Sequence, residues 1–145
     1  MKRETLGATS SQSAASVSVK RSGTIDSGVE WIVDATGCVS GLLKDQTVLS
    51  ELFDAIVSDL GLKVIGTPVW HQFPEPGGIT GLALLSESHL ACHTYPEFEL
   101  LTLNLYCCRP RSAWLWEEEL HRRVGAKHVR IRRIERGTSG EEVPT

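Results

Sequence analysis

The segment from Phe98 to Cys108 alternates so regularly that it constrains the fold more than any other part of the chain. Successive side chains of a β-strand point to opposite faces, so this predicted strand has one apolar face, made of Leu101, Leu103, Leu105 and Cys107. The other face carries Asn104, Tyr106 and Cys108. Such a strand is typical of an antiparallel sheet with one face packed against helices. The face that carries Cys108 is then free to line a site.

The remaining apolar patterns predict two helices and four further strands. An amphipathic helix is expected over 48–60, where Gly61 ends it, and a second helix over 113–124, where Gly125 ends it. The predicted strands are 29–35, 62–73, 79–85 and 127–135, of which 62–73 is interrupted by Pro68. This order predicts an α+β two-layer sandwich, in which helices pack on one face of an antiparallel sheet.

The ends of the chain and its charge limit the possible functions. Residues 1–27 and 137–145 contain few large apolar side chains, which predicts a disordered N-terminal tail and a flexible C-terminal tail around a folded unit at 28–136. The net charge of -3 gives no general attraction to nucleic acid or to an anionic membrane. No apolar run approaches a membrane span, and no signal peptide follows Lys2 and Arg3, so we expect a cytoplasmic protein. The four cysteines follow no zinc spacing, and we expect no metal.

Reactive side chains are concentrated between Leu85 and Glu97. These thirteen residues contain two serines, two histidines, a cysteine and two glutamates. The segment resembles the cleavage motif of the prokaryotic S-adenosylmethionine decarboxylases, in which the chain cuts itself at a Glu-Ser bond. The serine of that bond becomes a covalent pyruvoyl group in this family. The corresponding bond here is Glu87-Ser88.

The resemblance extends over roughly residues 28–137. The segments that match the family's motifs are Asp34-Ala-Thr-Gly-Cys38, Trp70-His71-Gln72-Phe73, Ile79-Thr80-Gly81, Ser86-Glu87-Ser88-His89, His93-Thr94-Tyr95-Pro96-Glu97, Leu105-Tyr106-Cys107-Cys108 and Glu135-Arg136-Gly137. Tyr95 stands where the family usually has tryptophan, and Thr80 stands where it usually has serine. Arg109 stands where the family has a glycine after its catalytic cysteine.

The resemblance implies self-cleavage into the segments 1–87 and 88–145. Ser88 is then the pyruvoyl precursor, which attacks the carbonyl of Glu87. His93 assists this processing step as a candidate base. Thr80 takes the place of a processing serine and is a candidate donor to the oxyanion.

The resemblance also implies the reaction that follows. The pyruvoyl carbonyl forms a Schiff base with a substrate amine and accepts the electrons released with carbon dioxide. Cys108, twenty residues after Ser88, is then the proton donor, and Phe73 and Glu97 bind the substrate. We expect the substrate to be S-adenosylmethionine, whose decarboxylated product supplies the aminopropyl group for spermidine synthesis. We also expect a homodimer of cleaved two-chain protomers.

Two alternative functions remain open at this point. Several residues near the expected substrate pocket depart from the family's pattern, among them Asn104 and Glu30. They motivate a related pyruvoyl enzyme that acts on a basic amino acid such as ornithine or arginine. The second alternative is an uncleaved, non-enzymatic homologue that serves as a regulatory partner.

Overall fold

Six strands and two α-helices span residues 28–137, the part of the chain that this computed structural model describes. The elements are β1 (Gly28–Thr36), α1 (Gln46–Asp59), β2 (Val69–Gln72), β3 (Ile79–Leu85), β4 (Ser88–Tyr95), β5 (Leu100–Cys107), α2 (Trp116–Val124) and β6 (His128–Arg136). The predicted tail at 1–27 lies outside the described residues, as does all of the predicted tail at 137–145 except Gly137.

The strands form one antiparallel sheet in the order β2-β3-β4-β5-β1-β6. The alternation within β5 determines which face is covered, because Leu101, Leu103 and Leu105 are at most 3% exposed. The register pairs Trp31 with Leu105 and Val33 with Leu103, so the apolar face continues from β5 into β1.

Both helices pack on this apolar face. The side chain of Asp45 accepts a hydrogen bond from the Thr47 N–H at 2.9 Å, which satisfies one of the free donors at the start of α1. The buried residues of α1 are Leu49, Leu52, Phe53 and Ile56, and those of α2 are Trp116, Leu120 and Val124. The predicted α+β sandwich with helices on one face is therefore confirmed. Within the described part of the chain, neither helix is long and apolar enough to cross a bilayer.

The opposite side of the sheet, which we call the open face, has no helix over it within residues 28–137. Exposed apolar side chains on this face are Val69, Leu82, Leu84 and Ile134. On the same face, Arg132 and Arg136 of β6 form ion pairs with Asp34 and Glu30 of β1, at 3.0 Å and 2.8 Å. The basic run at 130–133 is thus partly neutralised by its neighbouring strand.

Two predicted elements are shorter than expected. The segment 62–73 forms a strand only at Val69–Gln72, because Pro68 has no N–H to donate to a ladder. The segment before it makes only one isolated bridge, between Val64 and Leu85. Helix α2 begins at Trp116 instead of residue 113. In the segment before it, the indole N–H of Trp114 donates to the Asp59 carboxylate at 2.8 Å.

The predicted strand at 98–108 is also trimmed at both ends. Residues Pro96–Phe98 form a 3-10 turn that ends in the left-handed residue Glu99, at φ 52°. Strand β5 therefore begins at Leu100, and its ladder ends at Cys107. The placement of Cys108 within this strand was wrong by one residue, since Cys108 follows the end of the ladder.

Candidate active site

The Glu87-Ser88 bond lies in the tight turn between β3 and β4, at one end of the sheet. Leu85 pairs with Ser88 across this turn, which leaves Ser86 and Glu87 as the two turn residues. Both turn residues are exposed, whereas Ser88 is half-buried. The bond therefore joins an exposed turn residue to the first residue of β4.

The carbonyl group of Glu87 has a backbone donor directed at it. The N–H of Cys108 donates to this oxygen at 2.9 Å, from the loop that follows β5. Negative charge that develops on a carbonyl oxygen strengthens such a hydrogen bond, so the same N–H can stabilise an oxyanion. In addition, Nη2 of Arg109 lies 3.2 Å from Oε1 of Glu87. The loop after β5 therefore binds both the carbonyl and the side chain of Glu87.

The two adjacent cysteines differ in their surroundings. Cys107 lies opposite Ser88 in the register and is 2% exposed, as expected of a residue on the leucine face. Burial raises the pKa of the Cys107 thiol, against the opposing effects of Arg111 and a hydrogen bond with Ser88. Cys107 is therefore a protonated thiol at neutral pH. Cys108 is exposed, and its side chain is free to meet a ligand at this end of the sheet.

Thr80 and His93 form a pair at the other end of β3 and β4. They are register partners, and Oγ1 of Thr80 lies 3.0 Å from Nδ1 of His93, within hydrogen-bonding distance. Five ladder positions separate this pair from Leu85 and Ser88, which is about 16 Å at the rise of a β-strand. One chain therefore brings Thr80 and His93 together but does not bring them to its own Glu87-Ser88 bond.

A cavity of about 430 Å³ opens beside the Thr80–His93 pair. Phe73 and Glu97, the two residues predicted to bind substrate, both line it, together with Tyr95. Phe73 is 52% exposed, so its ring is available to a ligand. The cavity thus joins an aromatic surface, a carboxylate and a histidine, although these residues come from β3, β4 and the loops that flank them.

Local packing fixes the floor of this cavity. The hydroxyl of Thr94 donates to the Leu43 carbonyl and accepts from the Ile79 N–H, both at 2.8 Å. A Cβ at position 78 would lie 2.5 Å from the Thr94 carbonyl oxygen, so only glycine fits there. The ring of His71 meets Phe73 edge-on, with centroids 4.7 Å apart, and thereby orients it.

Several features of the site were not foreseen from the sequence. The N–H of Cys108 acts through the backbone, which no side-chain motif reveals. The ion pair between Arg109 and Glu87 depends on the register of β4 with β5, and opposite charges 22 residues apart are not informative alone. Among the described residues, no three or more His, Cys, Asp or Glu side chains are grouped so that they could hold a metal ion.

Comparison with known proteins identifies sequence relatives over most of the folded unit. The family model described as S-adenosylmethionine decarboxylase matches residues 29–137. An S-adenosylmethionine decarboxylase proenzyme from Thermoplasma volcanium is 36% identical over 117 residues, which cover 79% of this chain and 88% of the relative. One from Picrophilus torridus is 38% identical over 85 residues, covering 59% of this chain and 64% of the relative.

A solved structure supports the same relationship. The crystal structure of the adenosylmethionine decarboxylase from Aquifex aeolicus is similar to this chain with a TM-score of 0.68 and 27% sequence identity. The similarity covers 84% of this chain and all of that one. The two proteins therefore share the architecture of the sheet and its helices.

Proposed function

This chain belongs to the S-adenosylmethionine decarboxylase family, and we propose that it cleaves itself at Glu87-Ser88 and then decarboxylates S-adenosylmethionine. The product supplies the aminopropyl group for spermidine synthesis. The observation that carries the proposal is the hydrogen bond from the Cys108 N–H to the Glu87 carbonyl, at 2.9 Å, immediately before a serine. It supplies an oxyanion donor at the atom where self-cleavage needs one.

Self-cleavage uses only groups of the protein and one water molecule. The Ser88 hydroxyl attacks the Glu87 carbonyl carbon, and the amide becomes an ester with a free Ser88 amine. A base then removes the Ser88 α-proton, the Cβ–Oγ bond breaks, and the Glu87 carboxylate leaves. Water hydrolyses the resulting enamine and releases ammonia, which leaves a pyruvoyl group at the start of 88–145.

The residues around Ser88 fit such a group. The turn is exposed, and the oxyanion donor and two thiols, those of Cys107 and Cys108, belong to the adjacent strand end. When present, the pyruvoyl group supplies a carbonyl that accepts the electrons released by decarboxylation. Cys108 then delivers a proton to the substrate carbon. We assign this role to Cys108 because its thiol is exposed, whereas Cys107 is buried.

The processing role of Thr80 and His93 requires a second copy of the chain. Because the pair lies about 16 Å along the sheet from Ser88, we assign it to the Glu87-Ser88 bond of a partner subunit. A two-fold axis through the middle of β3 and β4 places each end of these strands over the opposite end in the partner. Two equivalent sites then form, and each uses residues of both copies.

The open face is suited to this homodimer. It carries exposed apolar side chains at 42–68% of their full accessibility, namely Val69, Leu82, Leu84 and Ile134. Contact between two such faces removes these side chains from water, which favours association. The resulting assembly has two central sheets with the helices outside.

The cavity beside His93 then holds the substrate while the partner supplies the pyruvoyl group. Phe73 offers a ring on which an adenine stacks, and Glu97 offers a carboxylate to ribose hydroxyls or to a cation. A cavity of about 430 Å³ is within the usual range for a small-molecule site.

Release of labelled carbon dioxide tests the substrate. We expect release from S-adenosylmethionine and none from ornithine or arginine. Phe73→Ala and Glu97→Gln should each raise KM more than they lower kcat per pyruvoyl group, because they bind substrate away from the reacting carbon. The uncleaved Ser88→Ala variant is the inactive control. Release from ornithine or arginine but not from S-adenosylmethionine would replace the proposed substrate with a basic amino acid.

A further inference from the structure

We infer that Arg109 is a positioning residue for self-cleavage, acting through its ion pair with Glu87; this inference rests on the proposed function. Arg109 occupies the position at which the family usually has glycine. Glycine has no side chain with which to reach Glu87, so the ion pair depends on the arginine at this position. It adds a charged contact directly at the bond that is cut.

The contacts of Glu87 support this role. Its carboxylate oxygen Oε1 is 3.2 Å from Nη2 of Arg109, and its carbonyl oxygen is 2.9 Å from the N–H of Cys108. Adjacent residues of one loop thus bind both the side chain and the backbone of Glu87. Two such attachments restrict the rotation of the Glu87-Ser88 peptide group within an otherwise exposed turn.

The charge also suits the bond changes during cleavage. The acyl shift places negative charge on the Glu87 carbonyl oxygen, and the elimination releases the Glu87 α-carboxylate as the leaving group. The Glu87 side-chain carboxylate would repel both negative charges, and the Arg109 guanidinium paired with it offsets that repulsion. The pair also connects the products, because Glu87 ends the segment 1–87 while Arg109 belongs to 88–145.

The rate of cleavage tests this role directly. Wild type, Arg109→Gln and Arg109→Lys are synthesised in a cell-free system, and intact mass follows the appearance of 88–145 over time. Each series is run at about 0.05 M and about 0.5 M salt, where screening of exposed charges differs strongly. The matched control is Arg133→Gln, which removes another exposed ion pair of 3.2 Å, that with Glu135 on β6, three strands across the sheet from β4.

We expect Arg109→Gln to cleave about two- to five-fold more slowly at low salt, the size of effect that an exposed ion pair produces. High salt should slow cleavage of the wild type toward the rate of Arg109→Gln. The cleavage rate of Arg109→Gln itself should not change with salt. Arg109→Lys should recover part of the rate, and Arg133→Gln should match the wild type.

Two results would overturn the inference while the proposed function stands. The first is cleavage of Arg109→Gln at the wild-type rate. The second is slow cleavage of Arg109→Gln that depends on salt as the wild type does, together with an equally slow Arg109→Lys. That result would show that Arg109 acts through packing and not through its charge. An intact wild-type chain without decarboxylase activity would instead overturn the proposed function, and this inference with it.

Discussion

At the scale of single residues, the two adjacent cysteines separate cleavage from decarboxylation. Cys108→Ala should still cleave, since its backbone N–H remains. Its rate of decarboxylation should fall by about 10²- to 10⁴-fold, because the general acid is missing. Cys107→Ala should lower the free energy of unfolding by about 1 kcal/mol through lost packing. Its turnover per pyruvoyl group should be nearly unchanged, because the buried Cys107 thiol is not the proton donor.

The comparison requires rates normalised to cleaved protein, with the pyruvoyl content of each variant measured by intact mass. Equal turnover in the two variants, or a larger loss of turnover in Cys107→Ala, would show that Cys108 is not the proton donor. The contact of Cys107 with Ser88 makes this a demanding test, since both thiols lie at the same end of the sheet.

At the scale of elements, Thr94 joins the loop before α1 to strands β3 and β4 beneath the substrate cavity. Thr94→Val keeps the shape but leaves the Leu43 carbonyl and the Ile79 N–H without their partner. Each unsatisfied buried group costs about 1–3 kcal/mol, so the loss of two partners should lower the free energy of unfolding by about 2–6 kcal/mol.

Urea denaturation in the uncleaved Ser88→Ala background measures this loss without the complication of two chains. The control is Thr102→Val, because the hydroxyl of Thr102 makes only an exposed hydrogen bond of 3.4 Å to the His93 carbonyl. Its effect should stay within about 0.5 kcal/mol. Equal losses in the two variants would show that the Thr94 hydrogen bonds do not hold these elements together.

The helices and strands differ in how well the sequence alone predicts them. The period-two pattern of β5 and the amphipathic pattern of α1 predict both the fold class and the covered face, because burial imposes those periods directly. Strand β2 is different: its four residues depend on pairing with β3, and the apolar segment before Pro68 misleads the prediction. The motif resemblance predicts a processing role for both Thr80 and His93. Their separation from Ser88 depends on the register of β3 with β4, which the sequence motifs do not show.

At the scale of the whole molecule, the proposed dimer predicts complementation between two inactive variants. His93→Ala chains alone should remain uncleaved, and Ser88→Ala chains cannot form the ester. When the two are co-expressed with different tags, the His93→Ala chain meets an intact His93 in its partner. Only the His93→Ala chain should then be cleaved, in about half of its copies at equal expression.

Complementation distinguishes the two possible arrangements of the site. If His93 acted within its own chain, co-expression would leave the His93→Ala chain intact. Cleavage of that chain at the wild-type rate without any partner would remove His93 from the processing step altogether. Sedimentation measures the oligomeric state at concentrations where the enzyme is active. A monomer under those conditions would contradict a site that uses residues of two copies.

The most direct test of self-cleavage at Glu87-Ser88 is the intact mass of the purified wild-type protein. We expect two chains, 1–87 and 88–145, with the second lighter by one ammonia than a fragment that begins with serine. Ser88→Ala should run as one chain of 145 residues. A wild-type protein that remains a single chain after long incubation, or a second fragment that begins with an unmodified serine, would contradict it.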